Sequence, residues 1–241
     1  MQLSLETRRD IFDWFRACYP QEGCGLIDRH GQWVPMFNVA PEPEHSFRMT
    51  PGMVEAHGAR ALLHSHPGGW RCPSRCDMET QAAQDIPWGI VWLDHERVEP
   101  PFWWDAKPRD PTGMGWRSGV YDCLNLVRWG LASYGVQVPD VPRRPMDAAE
   151  TANMIEAQAR RIGGIRYADG IRPGDVLVIG RTAPHLGIVE PSGMVWHHPG
   201  PVSTDYAPQD LPVRTPLDQL SRGRLIQGRW RHRALAEKWA A

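Results

Sequence analysis

Two histidines and a later carboxylate form the clearest chemical pattern in this sequence. The segment His64–Pro67 reads His-Ser-His-Pro, and Ser74 and Asp77 follow it closely. Histidines two positions apart project to the same side of an extended chain. Two imidazoles and one carboxylate, with water in the fourth position, make an open tetrahedral zinc site of the catalytic kind. The pattern predicts that His64, His66 and Asp77 bind Zn²⁺, although these ligands also accept other divalent ions.

Other interpretations of the same segment stay open at this level. A single His-x-His pair is more often a surface or core feature than a ligand pair. Cys72 and Cys76 lie in the segment and could compete as ligands. They are not spaced as C-x-x-C, however, and a structural zinc site would need a further sulfur pair. The fixed offsets of Ser74 and Asp77 therefore favour the open catalytic site.

A strand followed by a helix must position these side chains. Residues 61–64 are apolar and predict a buried strand that delivers both histidines. Pro73 and Ser74 then provide a helix start, because Ser74 and Asp77 have the spacing of a hydroxyl and a carboxylate on one helical turn. The predicted helix continues to about Gln84. Upstream, Glu6–Tyr19 is typical of an amphipathic helix.

The segment resembles the JAMM-type (MPN) metallopeptidases. The shared features are the His-Ser-His-Pro run, the seven residues before Ser74, and the two residues between Ser74 and Asp77. The family also has a glutamate just before a glycine-containing strand, and Glu22 fits that position. The resemblance implies that the two histidines and Asp77 hold zinc. It further implies that Glu22 moves a proton from the attacking water to the leaving amine, and that Ser74 steadies the developing oxyanion.

A second candidate centre surrounds Cys123, which lies at the predicted start of a helix. The helix dipole and free backbone amides there favour the thiolate. His185 begins one strand-like segment and His197 ends the next, and a turn at residues 191–193 would bring them together. A cysteine, a base and an orienting residue together match the logic of nucleophilic catalysis. A lone cysteine is nevertheless more often an inert small hydrophobe.

Three segments around this cysteine resemble the NlpC-type cell-wall cysteine peptidases. They are Tyr121–Val127, Arg172–Leu177 and His185–Val189. The resemblance implies that Cys123 is the nucleophile, His185 the general base, and His197 the polar residue that orients the base. It also implies cleavage of peptide-stem amide bonds in peptidoglycan.

The match to this second family departs from its pattern in places. Leu124 and Asn125 stand where the family usually has Ser-Gly, and no tyrosine near Trp116 matches the family's upstream tyrosine. Asp122 fits better as a helix cap than as a catalytic group. His198 competes with the neighbouring histidine for the orienting role, and spacing favours His197.

Composition excludes several function classes. The 241 residues carry a formal net charge of -1, which gives no electrostatic case for nucleic acid as a partner. No apolar run is long enough to span a membrane, and the first ten residues contain no apolar core of a secretory signal. Five cysteines, an odd number, do not suit a disulfide framework.

The pattern of elements predicts an α+β protein of two domains. We expect a JAMM/MPN-like α/β domain over residues 1–98 and a proline-rich linker over 99–112. A papain-like, NlpC-type α+β domain follows over 113–241. The linker is placed where proline and polar residues interrupt the helix and strand patterns.

The order of the two motifs resembles two-domain tail-tip components of lambda-like phages. The resemblance implies a virion protein made in the host cytoplasm that acts in the host cell envelope. Its partners would be the peptide stems of host peptidoglycan and other tail-tip proteins. Two alternatives remain at this level. One is a structural tail-tip component whose catalytic sites are vestigial, and the other is a cell-wall enzyme not attached to a virion.

Overall fold

The computed structural model has a mixed α/β architecture, as the sequence predicts. It describes residues 3–105, 107–144, 148–161, 163–166, 170–182, 184–200 and 205–240. The chain divides into two compact units, Met1–Ala106 and Lys107–Ala241. None of the helices in the described ranges is long and apolar enough to cross a membrane.

The first unit is a five-stranded sheet with three helices. Its elements are α1 (Leu5–Cys18), β1 (Cys24–Ile27), β2 (Trp33–Met36), α2 (Met53–His57), β3 (Ala61–Pro67), α3 (Arg75–Gln84), β4 (Trp88–Leu93) and β5 (Phe102–Trp104). The strand order is β2-β1-β3-β4-β5. The centre of the sheet is a parallel pair, β3 and β4, which α3 connects.

Apolar burial explains this arrangement. All six residues of β4 are buried, as expected for a central strand covered on both faces. The helix α1 starts at Ser4, whose hydroxyl accepts the backbone N–H of Thr7. Ile11 and Phe15 on the inner face of α1 are fully buried in the core of this unit.

The linker predicted over residues 99–112 is interrupted by a strand. Phe102, Trp103 and Trp104 form β5, which pairs with β4 at the edge of the sheet. Trp103 and Trp104 are buried, so burial of aromatic rings outweighs the surrounding prolines. The division between the two units falls after this strand.

The second unit combines a six-stranded antiparallel sheet with four helices and a two-stranded ribbon among its described residues. Its elements are β6 (Trp116–Arg117), α4 (Cys123–Ser133), α5 (Ala148–Arg161), β7 (Gly164–Arg166), β8 (Val176–Ile179), β9 (His185–Val189), β10 (Met194–His197), β11 (Tyr206–Ala207), β12 (Val213–Pro216), α6 (Leu217–Arg222), β13 (Ile226–His232) and α7 (Arg233–Ala240). The large sheet has the order β12-β10-β9-β8-β13-β7, and the ribbon joins β11 to β6.

Close packing of α4 on β9 depends on a glycine within the helix. A Cβ atom added at Gly130 would lie 2.8 Å from the side chain of Ile188 on β9. The helix therefore approaches the strand more closely than any larger residue allows, which offsets the usual cost of glycine in a helix. Leu126, Val127 and Leu131 fill the core on the same side.

Candidate functional sites

Strand β3 holds both histidines of the first candidate site. It pairs antiparallel with β1, with Cys24 opposite His64. Extending this register by two residues brings Glu22 opposite His66. Ser65, between the histidines, anchors the chain there: its hydroxyl accepts the N–H of Gly23 at 2.8 Å, and its own N–H donates to the Gly23 carbonyl at 2.9 Å.

The start of α3 supplies the carboxylate. The Ser74 hydroxyl accepts the N–H of Asp77 at 3.1 Å, and Asp77 Oδ2 accepts the N–H of Ser74 at 2.7 Å. This is a reciprocal capping box. The box fixes the rotamer of Asp77, whose carboxylate faces the two histidines, and it leaves the hydroxyl proton of Ser74 available to donate.

Three potential ligand atoms converge at this point. The Nε2 atoms of His64 and His66 lie 3.0 Å apart. Asp77 Oδ1 lies 3.4 Å from Nε2 of His64, and Oδ2 lies 3.5 Å from Nε2 of His66. Ligands bound at ~2.0 Å to a tetrahedral zinc ion lie about 3.3 Å apart. The three side chains therefore fit a divalent metal ion.

Hydrogen bonding selects the ring nitrogen of His66 that is free for a metal. Its Nδ1 lies 2.7 Å from the carbonyl oxygen of Trp70. A carbonyl can only accept, so Nδ1 carries the proton and Nε2 of the neutral ring carries the lone pair. Nδ1 of His64 is buried and has no hydrogen-bond partner among the described residues, so both rings offer Nε2 to the same point.

Electrostatics favours the metal-binding forms of His64 and Asp77, whereas it favours the protonated form of His66. Burial lowers the pKa of His64, so its ring is neutral. Burial alone would raise the pKa of Asp77, but His64 and His66 outweigh it and hold the pKa well below the usual range. The pKa of His66 is raised, because the carboxylates of Asp77 and Glu22 outweigh its burial. A metal ion at this site would displace the extra proton that the raised pKa of His66 favours.

Glu22 lies beside this group. Its carboxyl is buried, which raises its pKa to about 7, with His66 lowering and Asp77 further raising the value. It lines a cleft of about 630 Å³ together with His66, Ser74 and Asp77. A carboxyl group with a pKa near neutrality can both accept and return a proton at pH 7.

Three aromatic rings surround the imidazole of His64, an arrangement that the sequence does not predict. The ring of Phe47 stacks on the imidazole with centroids 4.5 Å apart. Trp88 and Trp104 contact the same imidazole edge-to-face at 5.7 and 6.4 Å. Phe47 comes from the irregular segment before α2, so no periodic pattern in the sequence marks it.

The two neighbouring cysteines do not join the ligand group. Within the described residues, the group that could hold a metal ion contains only His64, His66 and Asp77. Cys72 is buried in the unit, whereas Cys76 is exposed and lines the cleft.

The second candidate site begins at the N-terminus of α4. Asp122 is the N-cap of this helix, as predicted, and its Oδ1 accepts the N–H of Asn125 at 2.9 Å. Its Oδ2 accepts the N–H of Gly119 at 2.8 Å. The guanidinium of Arg143 donates to both oxygens, at 2.7 and 2.8 Å. These bonds fix the backbone just before Cys123.

Cys123 itself behaves differently from the expectation at a helix start. Burial, together with the nearby Asp122 carboxylate, raises the pKa of its thiol to about 12. The N–H groups of Leu186 and Cys123 and the charge of Arg143 lower it, but they do not compensate. The expected thiolate is therefore disfavoured, because loss of solvation outweighs the helix terminus. The contact with Leu186 places the sulfur beside the first residues of β9.

The two histidines of this site meet as the strand pattern predicts. Strands β9 and β10 are antiparallel neighbours with His197 opposite Gly187. A Cβ atom at Gly187 would lie only 3.0 Å from the Cβ of His197, so a larger residue at this position would crowd His197. Nε2 of His185 lies 2.9 Å from Nδ1 of His197, and the rings are stacked.

His197, and not its neighbour, bonds to His185. His198 is buried edge-to-face against Trp116, with ring centroids 5.1 Å apart. The second ring nitrogen of His197, Nε2, lies 2.9 Å from the hydroxyl of Thr215 on β12. No local pattern in the sequence marks Thr215 or Arg143, since both contact residues that are distant from them in the chain.

The first unit is similar to a family of known proteins. Residues 4–106 match the family model of prokaryotic homologs of the JAB domain. This match and the His-His-Asp group agree with the predicted JAMM-type resemblance.

Two relatives resemble the chain over both units. It is 29% identical over 181 residues to the tail tip assembly protein K of Escherichia phage lambda, covering 72% of this chain and 82% of that protein. It is 26% identical over 199 residues to the tail tip assembly protein K of Escherichia phage N15, covering 76% and 79% respectively. The predicted resemblance to tail-tip components of lambda-like phages is confirmed.

Proposed function

We propose that this chain is a phage tail-tip protein with two hydrolytic centres. The first is a metal-dependent JAMM-type peptidase, and the second is an NlpC-type cysteine peptidase that cleaves peptide stems of host peptidoglycan. The convergence of His64, His66 and Asp77 beside Glu22 carries the proposal. The names of the two relatives support the place in the tail tip and other tail proteins as partners.

In the first unit, His64, His66 and Asp77 would hold the ion, and zinc suits this donor set. A bound divalent ion supplies Lewis acidity that polarises a carbonyl and activates water. Glu22 takes the proton of the attacking water and returns it to the leaving amine. Ser74, whose oxygen already accepts the N–H of Asp77, donates its hydroxyl proton to the developing oxyanion.

In the second unit, the sulfur of Cys123 attacks the carbonyl carbon of a stem amide bond. The high pKa of this thiol means that the sulfur stays protonated at rest. His185 therefore takes the proton as the S–C bond forms and gives it to the leaving amine as the C–N bond breaks. Water then hydrolyses the thioester, with His185 again as base, and His197 orients the ring.

Digestion of purified muropeptides tests this division of labour. We expect the full chain to release stem fragments, and Cys123→Ala to abolish this release. A chelator and Glu22→Gln should leave the release intact, because both act on the other unit. Cleavage by Cys123→Ala at the rate of the parent would contradict the cysteine mechanism.

A purely structural role in tail-tip assembly is the second candidate, which the word "assembly" in both relatives' names favours. Phage carrying Cys123→Ala or His66→Ala distinguishes the two. Complete particles with poor infection would support the enzyme, whereas missing tails without a hydrolytic defect would support the scaffold.

A further inference from the structure

Three adjacent strands bring a histidine, a second histidine and a threonine into one line. Thr215 lies opposite Val195 on the neighbouring strand β10, so it is a diagonal neighbour of His197. His197 is in turn a diagonal neighbour of His185 on β9. The resulting hydrogen bonds, His185 Nε2 to His197 Nδ1 and His197 Nε2 to Thr215 Oγ1, are both 2.9 Å long.

The chemistry of the cysteine centre decides where the protons must be in this line. Nε2 of His185 is bonded to His197, so in the proposed mechanism Nδ1 of His185 takes the proton from the thiol. A neutral imidazole has one protonated nitrogen and one lone pair. When Nδ1 of His185 carries the lone pair, Nε2 carries the proton and donates to Nδ1 of His197. The proton of His197 is then on Nε2, and the Thr215 hydroxyl accepts it.

The opposite arrangement would disable the base. If the Thr215 hydroxyl donated to His197 instead, the proton of that ring would move to Nδ1 and the proton of His185 would move to its own Nδ1. No lone pair would then be left for the thiol. The two hydrogen bonds can thus run in either direction. Whether the Thr215 hydroxyl accepts or donates decides which nitrogens of His197 and His185 carry the protons.

We infer that Thr215 is a positioning residue of the cysteine centre, one that fixes the ring protons of His197 and His185 by accepting the Nε2–H of His197. This inference rests on the proposed cysteine chemistry. Burial, together with the neighbouring His185 and His198, lowers the pKa of His197 to about 4. The ring of His197 is therefore neutral at pH 7 and carries its single proton on either Nδ1 or Nε2.

Nitrogen NMR of the full chain tests the inference directly, because long-range proton–nitrogen spectra distinguish the two tautomers of a neutral histidine. We expect His197 of the parent to carry its proton on Nε2. In Thr215→Val, a nearly isosteric change, the buried Nε2–H loses its acceptor, and we expect the proton to move to Nδ1. Thr215→Ser should restore the tautomer of the parent.

A chemical readout accompanies the spectrum. Iodoacetamide labelling of Cys123, followed by mass spectrometry of its own peptide, should slow about tenfold in Thr215→Val at neutral pH and recover in Thr215→Ser. Thr112→Val is the matched control, because Thr112 is an exposed threonine of the same unit. On muropeptides, Thr215→Val should lower kcat and leave KM unchanged, whereas Thr112→Val should match the parent.

Two results would overturn the inference. One is a parent protein whose His197 carries its proton on Nδ1, which needs no variant to fold. The other is a Thr215→Val protein with the tautomer and the labelling rate of the parent. If the tautomer shifts as expected but the parent cleaves no muropeptide, the positioning role stands and the proposed substrate fails.

Discussion

Glu22 illustrates at the scale of a single residue how burial prepares a side chain for proton transfer. Its pKa of about 7 lies well above the ordinary value of 4.5, mainly because the buried carboxylate loses solvation. Between these two pH values, the folded chain retains a proton that the unfolded chain has lost. The free energy of unfolding therefore falls as pH rises through this window.

We predict that Glu22→Gln stabilises the metal-free protein at high pH. The amide removes the cost of burying a charge, so the variant should exceed the parent in free energy of unfolding at pH 8 and match it near pH 4. Urea denaturation in the presence of a chelator measures both values. Glu96→Gln is the control, since Glu96 is exposed. An equal gain at both pH values would contradict the assigned pKa.

The ring of Phe47 leads to a second prediction at this scale. Because it stacks on the His64 imidazole, Phe47→Ala should let that ligand rotate and weaken zinc binding about tenfold, in the range found for groups that support a metal-ligating histidine. Competition with a chelating indicator measures the affinity. Phe37→Ala is the control, since Phe37 is 81% exposed. Equal affinities of the two variants would show that the stacking does not orient His64.

At the scale of elements, helix starts position the reactive groups in both units. Ser74 caps α3 and orients Asp77, while Asp122 caps α4 just before Cys123. The pKa of Asp122 is lowered: burial alone would raise it, but Arg143 and the backbone donors of the helix start outweigh burial. The start of α4 therefore depends on a buried ion pair.

Two adjacent arginines allow a matched test of that pair. Arg143 is 3% exposed and bonds to Asp122, whereas Arg144 is 51% exposed and bonds to Glu150. We expect Arg143→Met to lower the free energy of unfolding by about 3–5 kcal/mol, because it leaves a buried carboxylate unpaired. Arg144→Met should change it by less than about 1 kcal/mol. Similar losses in chemical denaturation would contradict the role of burial.

The cap of α3 gives a smaller expected effect. Ser74→Ala removes the acceptor for the N–H of Asp77 and should cost about 1 kcal/mol of stability. Ser74→Thr retains a hydroxyl and should cost less. Thermal unfolding of the two variants compares them, and equal losses would show that the hydroxyl does not stabilise the helix.

Local signals account for what the sequence could predict of these elements. The apolar run of β3 and the Ser74–Asp77 spacing are local, and they predict the strand, the helix start and the three candidate ligands. Strand β5 was missed because three aromatic residues lie between prolines. The sequence does not predict the roles of Arg143, Phe47 and Thr215, because each of them contacts a site residue that is distant in the chain. The high pKa of Cys123 follows from burial, which the sequence does not reveal.

At the scale of the whole molecule, each unit has its own core and its own reactive cluster. The match to prokaryotic JAB homologs spans the first unit, and the similarity to the two tail tip assembly proteins extends over most of the chain. The central claim is that the first unit binds a divalent ion through three side chains. All further chemistry proposed for that unit depends on it.

Calorimetric titration of the chelated full chain with Zn²⁺ tests this claim most directly. We predict about one ion bound per chain for the parent, and loss of this binding in His66→Ala and Asp77→Asn. His95→Ala, which changes an exposed histidine of the same unit, should bind as the parent does. A parent that binds no zinc, or an Asp77→Asn variant that binds it as tightly as the parent, would contradict the account.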